Sequence, residues 1–151
     1  MREILFRGKS IKDNEWYEGS LYETKTNYAS GKTEIDYRIS VFEINVGEDV
    51  WDVISVCGYD ESVDPETVGQ YTGLTANGTK VFEGDIFLDR SDNSIALVMF
   101  KDGCFRLEWY GMRGGGWGVL DCDPIDWYCV HDMKIIGNIH DNPELLKGET
   151  E

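Results

Sequence analysis

Two carboxylates flank a glycine at Glu83-Gly84-Asp85, and each of the two histidines precedes an aspartate, at His131-Asp132 and His140-Asp141. Residues two apart on a strand share a face, so Glu83 and Asp85 could work as an acid–base pair with His140 as a third titratable group. The glycine between them argues for a turn instead, in which Asp85 accepts backbone N–H groups at a corner. Neither histidine lies in an HExxH pattern, and no G-x-S-x-G is present. No catalytic residue is therefore assigned. Glu83, Asp85 and His140 stand as candidate binding residues, together with Trp127 and Tyr128, an aromatic pair set among Asp121, Asp123, Asp126 and Asp132.

The four cysteines, Cys57, Cys104, Cys122 and Cys129, form no CxxC pair. Cys122, Cys129 and His131 could be drawn as metal ligands, but structural zinc sites carry a tighter spacing. No metal and no cofactor is expected, and the thiols are expected to be buried and reduced. The five glycines between Gly111 and Gly118 predict a mobile or tightly folded loop. They do not spell a phosphate cradle, since no GxxxxGK[ST] occurs and no helix pattern follows.

The chain has 151 residues, with 14 Lys and Arg against 29 Asp and Glu, a net charge of −15. That balance works against direct binding of nucleic acid or anionic lipid, both polyanions. No apolar run is long enough to span a bilayer or to serve as a signal sequence, so a cytoplasmic protein is expected. From Ile39 to Thr79 there is no Lys or Arg, while the first twelve residues carry Arg2, Arg7, Lys9 and Lys12.

Positioning elements read as strands. Glu3–Gly8 and Glu15–Tyr22 suit an antiparallel pair around a polar turn at Ser10–Asn14, and Thr24–Thr33 reads as a loop. Ile35–Val46 alternates with the period of a half-buried strand, with a parity slip that predicts a bulge near Val41-Phe42. Val50–Cys57 is another β-rich run. Pro65 opens a turn, Val68–Thr72 is a short strand bounded by Gly69 and Gly73, and Asn77-Gly78 predicts a hairpin turn. Gly84 predicts a corner. Ile95–Phe100 suits a strand buried on both faces, turned at Lys101–Gly103 and returned by Cys104–Tyr110. Asp126–Val130 and Lys134–Ile139 are further strand candidates. A short C-terminal helix is expected after Asn142-Pro143, stopped at Gly148. The fold class is all-β and mainly antiparallel, with corners close enough to bend residues 63–151 into a small barrel after a β-rich part at 1–62, all within one domain.

Several blocks carry a resemblance: Met1–Lys9, Glu15–Leu21, Val68–Leu74, Asn77-Gly78, Val81–Ile86 and Ile136–Leu146. In that order they resemble the YopX family across nearly the whole chain. The resemblance implies a protein encoded by bacteriophages or prophages, with an SH3-like small barrel and no assigned activity. Read physically, the motif residues Gly69, Gly73, Gly78, Gly84 and Gly137 suit corners, and Tyr71, Phe82, Ile86 and Ile139 suit packing positions.

The leading expectation is a non-enzymatic accessory protein whose barrel binds a host or phage protein. The alternatives are an acidic nucleic-acid mimic that docks a basic host protein, and a small-molecule binder or hydrolytic enzyme using Glu83, Asp85 and His140. Pairing of sheet edges between copies, and hence a homo-oligomer, stays open.

Overall fold

The computed structural model describes residues 3–46, 53–113, 116–126 and 130–147. The fold is all-β, and every strand pairing among the described residues is antiparallel. The chain divides into two compact units, one from Glu3 to Gln70 and the other chiefly from Tyr71 onward.

In the first unit β1 (Phe6–Lys9), β2 (Trp16–Asn27), β3 (Thr33–Val46) and β4 (Val53–Ser62) lie in the order β4-β3-β2-β1. The free side of β1 pairs Phe6 with Gln70 and Arg7 with Gly69, the first residues of β5 (Gly69–Ala76). The polar turn forms as expected: Asn14 has φ +64°, and Ser10 Oγ accepts from the amides of Lys12 and Asp13. The expected loop at Thr24–Thr33 is shorter, because β2 and β3 keep pairing out to Asn27 and Thr33. Its threonines are β-branched and suit a strand. The bulge expected near Val41-Phe42 is absent from the register; the irregularity falls between Asn45 and Val46. Of the run expected at Val50–Cys57, residues 50–52 lie outside the described residues and β4 begins at Val53.

Pro65–Thr67 is a 3-10 turn in which Asp64 Oδ1 accepts the Glu66 amide. The strand after it runs past Gly73 to Ala76, rather than ending there. Gly73 has φ +89°, and the register with β6 (Thr79–Phe82) shifts between Tyr71 and Thr75. The glycine bends the strand as a bulge without terminating it. Asn77 and Gly78, both at positive φ, close the β5–β6 hairpin as expected.

The second unit holds a five-stranded sheet in the order β10-β9-β8-β7-β11. Its strands are β7 (Asp85–Asp89), β8 (Ile95–Lys101), β9 (Cys104–Arg113), β10 (Gly116–Pro124) and β11 (Met133–Asn138). One core packs Phe87, Ala96, Val98 and Leu107 with Ala76, Val81, Val130 and Met133. Ala96, Leu97 and Val98 are consecutive and buried, so the centre of β8 is covered on both faces, as its apolar run predicts. The glycine segment at 111–118 is strand on both sides of the undescribed 114–115: Gly111 pairs with Gly118 and Trp117 with Met112. A Cβ at Gly111 would come within 2.9 Å of Leu120, so this glycine lets the two strands approach instead of loosening a loop. Asp126 and Val130 lie in no strand.

Among the described residues no pairing joins β10 to β11, so the sheet is not closed into a barrel. The C-terminal segment is a single 3-10 turn, Pro143–Leu146, where a helix was expected. Pro143 does open it, but the Asn142 side chain does not cap it. Its Oδ1 is instead aimed back at the Asn138 amide, 3.4 Å away. No described helix is long and apolar enough to cross a membrane.

Candidate functional site

At the β6–β7 corner, Gly84 has φ +87°, a conformation that other residues adopt only with strain. Both of its backbone groups are used: its amide donates to Val98 O and its carbonyl accepts the Ile139 amide, each at 2.8 Å. Asp85 is 2% exposed, and its Oδ2 accepts the Phe82 amide at 2.8 Å. The carboxylate thus satisfies a backbone donor at the corner.

His140 lies near this corner through the Ile139–Gly84 bond, but its side chain is exposed. Its amide and that of Asp141 both donate to Asn138 Oδ1 at 2.9 Å, while Asn138 Nδ2 donates to Asp141 Oδ2. Asn142 N donates to Asn138 O at 2.8 Å. A Cβ on Gly137 would meet Asn142 Oδ1 at 2.3 Å, which only glycine avoids. The stretch Gly137–Asn142 is therefore a clasp built from asparagine and aspartate side chains. The backbone brings Glu83, Asp85 and His140 to one end of the unit, with Glu83 half-buried, Asp85 enclosed and His140 exposed. Trp127 and Tyr128 lie outside the described residues.

A groove opens elsewhere in the same unit. It has a volume of about 320 Å³ and is lined by Thr72 and Leu74 of β5, Phe100 of β8, Gly103, Cys104 and Phe105 of the next turn and strand, and Pro124 and Ile125. Glu83, Asp85 and His140 do not line it. The run Ile95–Phe100 was expected to be buried throughout, yet Phe100 is 52% exposed. Its ring meets that of Phe105 edge-on, with centroids 5.2 Å apart. The Asp102-Gly103 turn, with φ +53° and +81°, holds the two phenylalanines opposite one another across β8 and β9. Leu74 and Ile125 pack on the core behind the groove. Thr72 Oγ1 donates to Val81 O and accepts the Leu74 amide, so its hydrogen-bonding capacity is turned inward. Sequence reasoning missed this groove because Phe100 ends an apolar run with nothing to mark where burial stops. The turn beside it was the only signal.

On the other face of β9, Arg106 donates to Cys122 O at 2.7 Å and to Cys122 Sγ at 3.3 Å, with Cys104 Sγ 3.8 Å away. These contacts hold the guanidinium pKa above its ordinary value. Both thiols are free and half-exposed, which corrects the expectation of burial. Cys57 falls in β4 and Cys129 lies outside the described residues. No group of metal-ligating residues occurs among the described residues. In the first unit, Arg7 and Lys9 of the basic N-terminal stretch lie over the Trp16 ring at 5.0 and 5.8 Å. The indole face attracts both cations.

The family model described as YopX protein matches residues 5–147 of this chain. The chain belongs to that family. No curated protein matches it.

Proposed function

We propose that this is a phage or prophage accessory protein that acts without catalysis, by binding a host or phage protein through the groove at Phe100. The observation that carries the reading is a half-exposed phenylalanine beside a set of apolar residues that back directly onto the core. Aromatic side chains held on a rigid base are the usual anchors of protein recognition. The same reading takes the β5–β6 hairpin and the five-stranded sheet as the family's SH3-like part, and places the protein in the bacterial cytoplasm. A photo-reactive phenylalanine analogue at position 100 tests it, with the same analogue at the exposed Val119 as control. A partner cross-linked from position 100 and not from 119 supports the groove. Identical products from both positions sink it.

A second reading, an acidic surface standing in for nucleic acid, is favoured by the net charge of −15. It predicts a basic partner released at high salt whether or not Phe100 is intact, because exposed charges are screened within about 8 Å at physiological ionic strength.

A further inference from the structure

We infer that the groove selects one bulky apolar side chain carried on a positively charged segment of the partner; this rests on the groove being the docking site. The lining supplies the apolar half of the argument. Phe100, Phe105, Leu74 and Ile125 present hydrocarbon, and the Thr72 hydroxyl is already engaged with Val81 O and the Leu74 amide. A side chain seeking a hydrogen-bond donor there would give up water and find none at Thr72, whose one O–H is committed to Val81 O. The volume of about 320 Å³ sits at the lower end of small-ligand sites, the scale of one large side chain rather than a folded surface.

Charge supplies the other half. Asp102, Asp123 and Asp126 are exposed and adjoin the lining residues Gly103, Pro124 and Ile125. Lys101 is exposed on the same turn, while the Arg106 guanidinium is turned to the Cys122 carbonyl and sulfur. Exposed aspartates therefore flank both the Gly103 turn and the Pro124-Ile125 segment of the lining, and the net charge of −15 adds a long-range pull on a basic segment. Rim charges of this kind choose the partner, and the apolar anchor holds it.

Three end-blocked pentapeptides test the inference: Lys-Lys-Trp-Lys-Lys, Glu-Glu-Trp-Glu-Glu and Lys-Lys-Ala-Lys-Lys. Each is titrated into the isotope-labelled full chain while backbone amide shifts are followed. The cationic Trp peptide is expected to shift Leu74, Phe100, Gly103, Phe105 and Ile125, and to bind about tenfold more tightly than either other peptide. Phe100→Ala should remove that advantage while the remaining amide shifts of the protein stay in place, showing that it is folded. Replacing Asp102, Asp123 and Asp126 with Asn should flatten the salt dependence. Equal binding of the acidic and basic Trp peptides in the groove would overturn the charge selection and leave the groove standing as a docking site. Groove shifts from no Trp peptide would overturn the docking reading itself. Equal binding of the Trp and Ala cationic peptides would overturn the apolar anchor.

Discussion

The indole Nε1 of Trp117 on β10 donates to the carbonyl oxygen of Leu146 at 2.9 Å. Trp117 sits on one edge strand of the five-stranded sheet, and Leu146 lies beyond the other edge strand, β11. The C-terminal turn thus spans between two edges that, among the described residues, do not pair with each other. Trp117→Phe removes this bond and keeps most of the ring. The expected cost is about 0.5–1.5 kcal/mol, read as a lower denaturant midpoint and faster proteolytic trimming near Leu146. Unchanged trimming would show that other contacts hold the turn.

Gly137→Ala places a methyl group where Asn142 Oδ1 now lies. The Asn142 side chain must leave, and the bond to the Asn138 amide goes with it. A loss of about 1–3 kcal/mol is expected from the overpacking. The double variant Gly137→Ala, Asn142→Ala should recover part of it, since the Oδ1 and Cγ contacts are then gone and only the Asn142 Cβ, at 3.1 Å, stays close. If the double variant is no better than the single one, the strain lies in the backbone instead.

Asp85→Ala leaves the buried Phe82 amide without its acceptor, at a cost of about 1–3 kcal/mol. Asp85→Asn keeps an oxygen in place and should cost less. Thermal unfolding of the two variants gives the comparison. A structural role requires the order Asn above Ala, whereas equal losses would mean that the carboxylate charge itself is used.

Three phenols are held protonated beyond the ordinary tyrosine value of 10, that of Tyr28 by its hydrogen bond to Glu34. The hydrogen bond to Asp13, foremost, pushes Tyr17 up to about 12. Burial, then the hydrogen bond to Glu108, pushes Tyr110 up to about 12. The folded protein keeps protons that the unfolded chain releases near pH 10. The stability that Tyr17 and Tyr110 contribute is complete below pH 10 and is lost as pH rises through 12. Ultraviolet titration should show a late phenolate step, and Tyr110→Phe should shrink it. A single tyrosine transition near pH 10 would contradict all three contacts.

Cys104 and Cys122 should each alkylate in the native protein and should not join to each other under mild oxidation. Cys104 is opposite Lys101 and Cys122 is opposite Glu108, so their positions are four residues apart along β9, a rise of about 13 Å. A disulfide needs Cα atoms closer than about 7 Å. Peptide mapping that found the two linked would refute the register of β9 and β10.

Strand content was legible where alternation, turn residues and glycine punctuation agreed. Asn77-Gly78, Asp102-Gly103 and the Gly84 corner are local devices, and local devices can be read from a few residues. The glycine-rich stretch misled because close approach between β9 and β10 and loop mobility ask for the same residue. The C-terminal segment misled for a different reason. Asn142 and Pro143 have the composition of a helix start, but the Asn138 amide, four residues back in the same clasp, claims the capping oxygen. The groove was the least legible feature, since its lining comes from β5, β8, β9 and the segment at Pro124-Ile125. Only the folded chain brings those together.

The block from Ile136 to Leu146, one of those that carry the resemblance to the family, contains the clasp of asparagine and aspartate bonds and ends at the carbonyl that receives Trp117. Its side chains bind this chain to itself. Phe100, Gly103 and Pro124 fall outside it, so the fastening and the groove can be altered independently of one another.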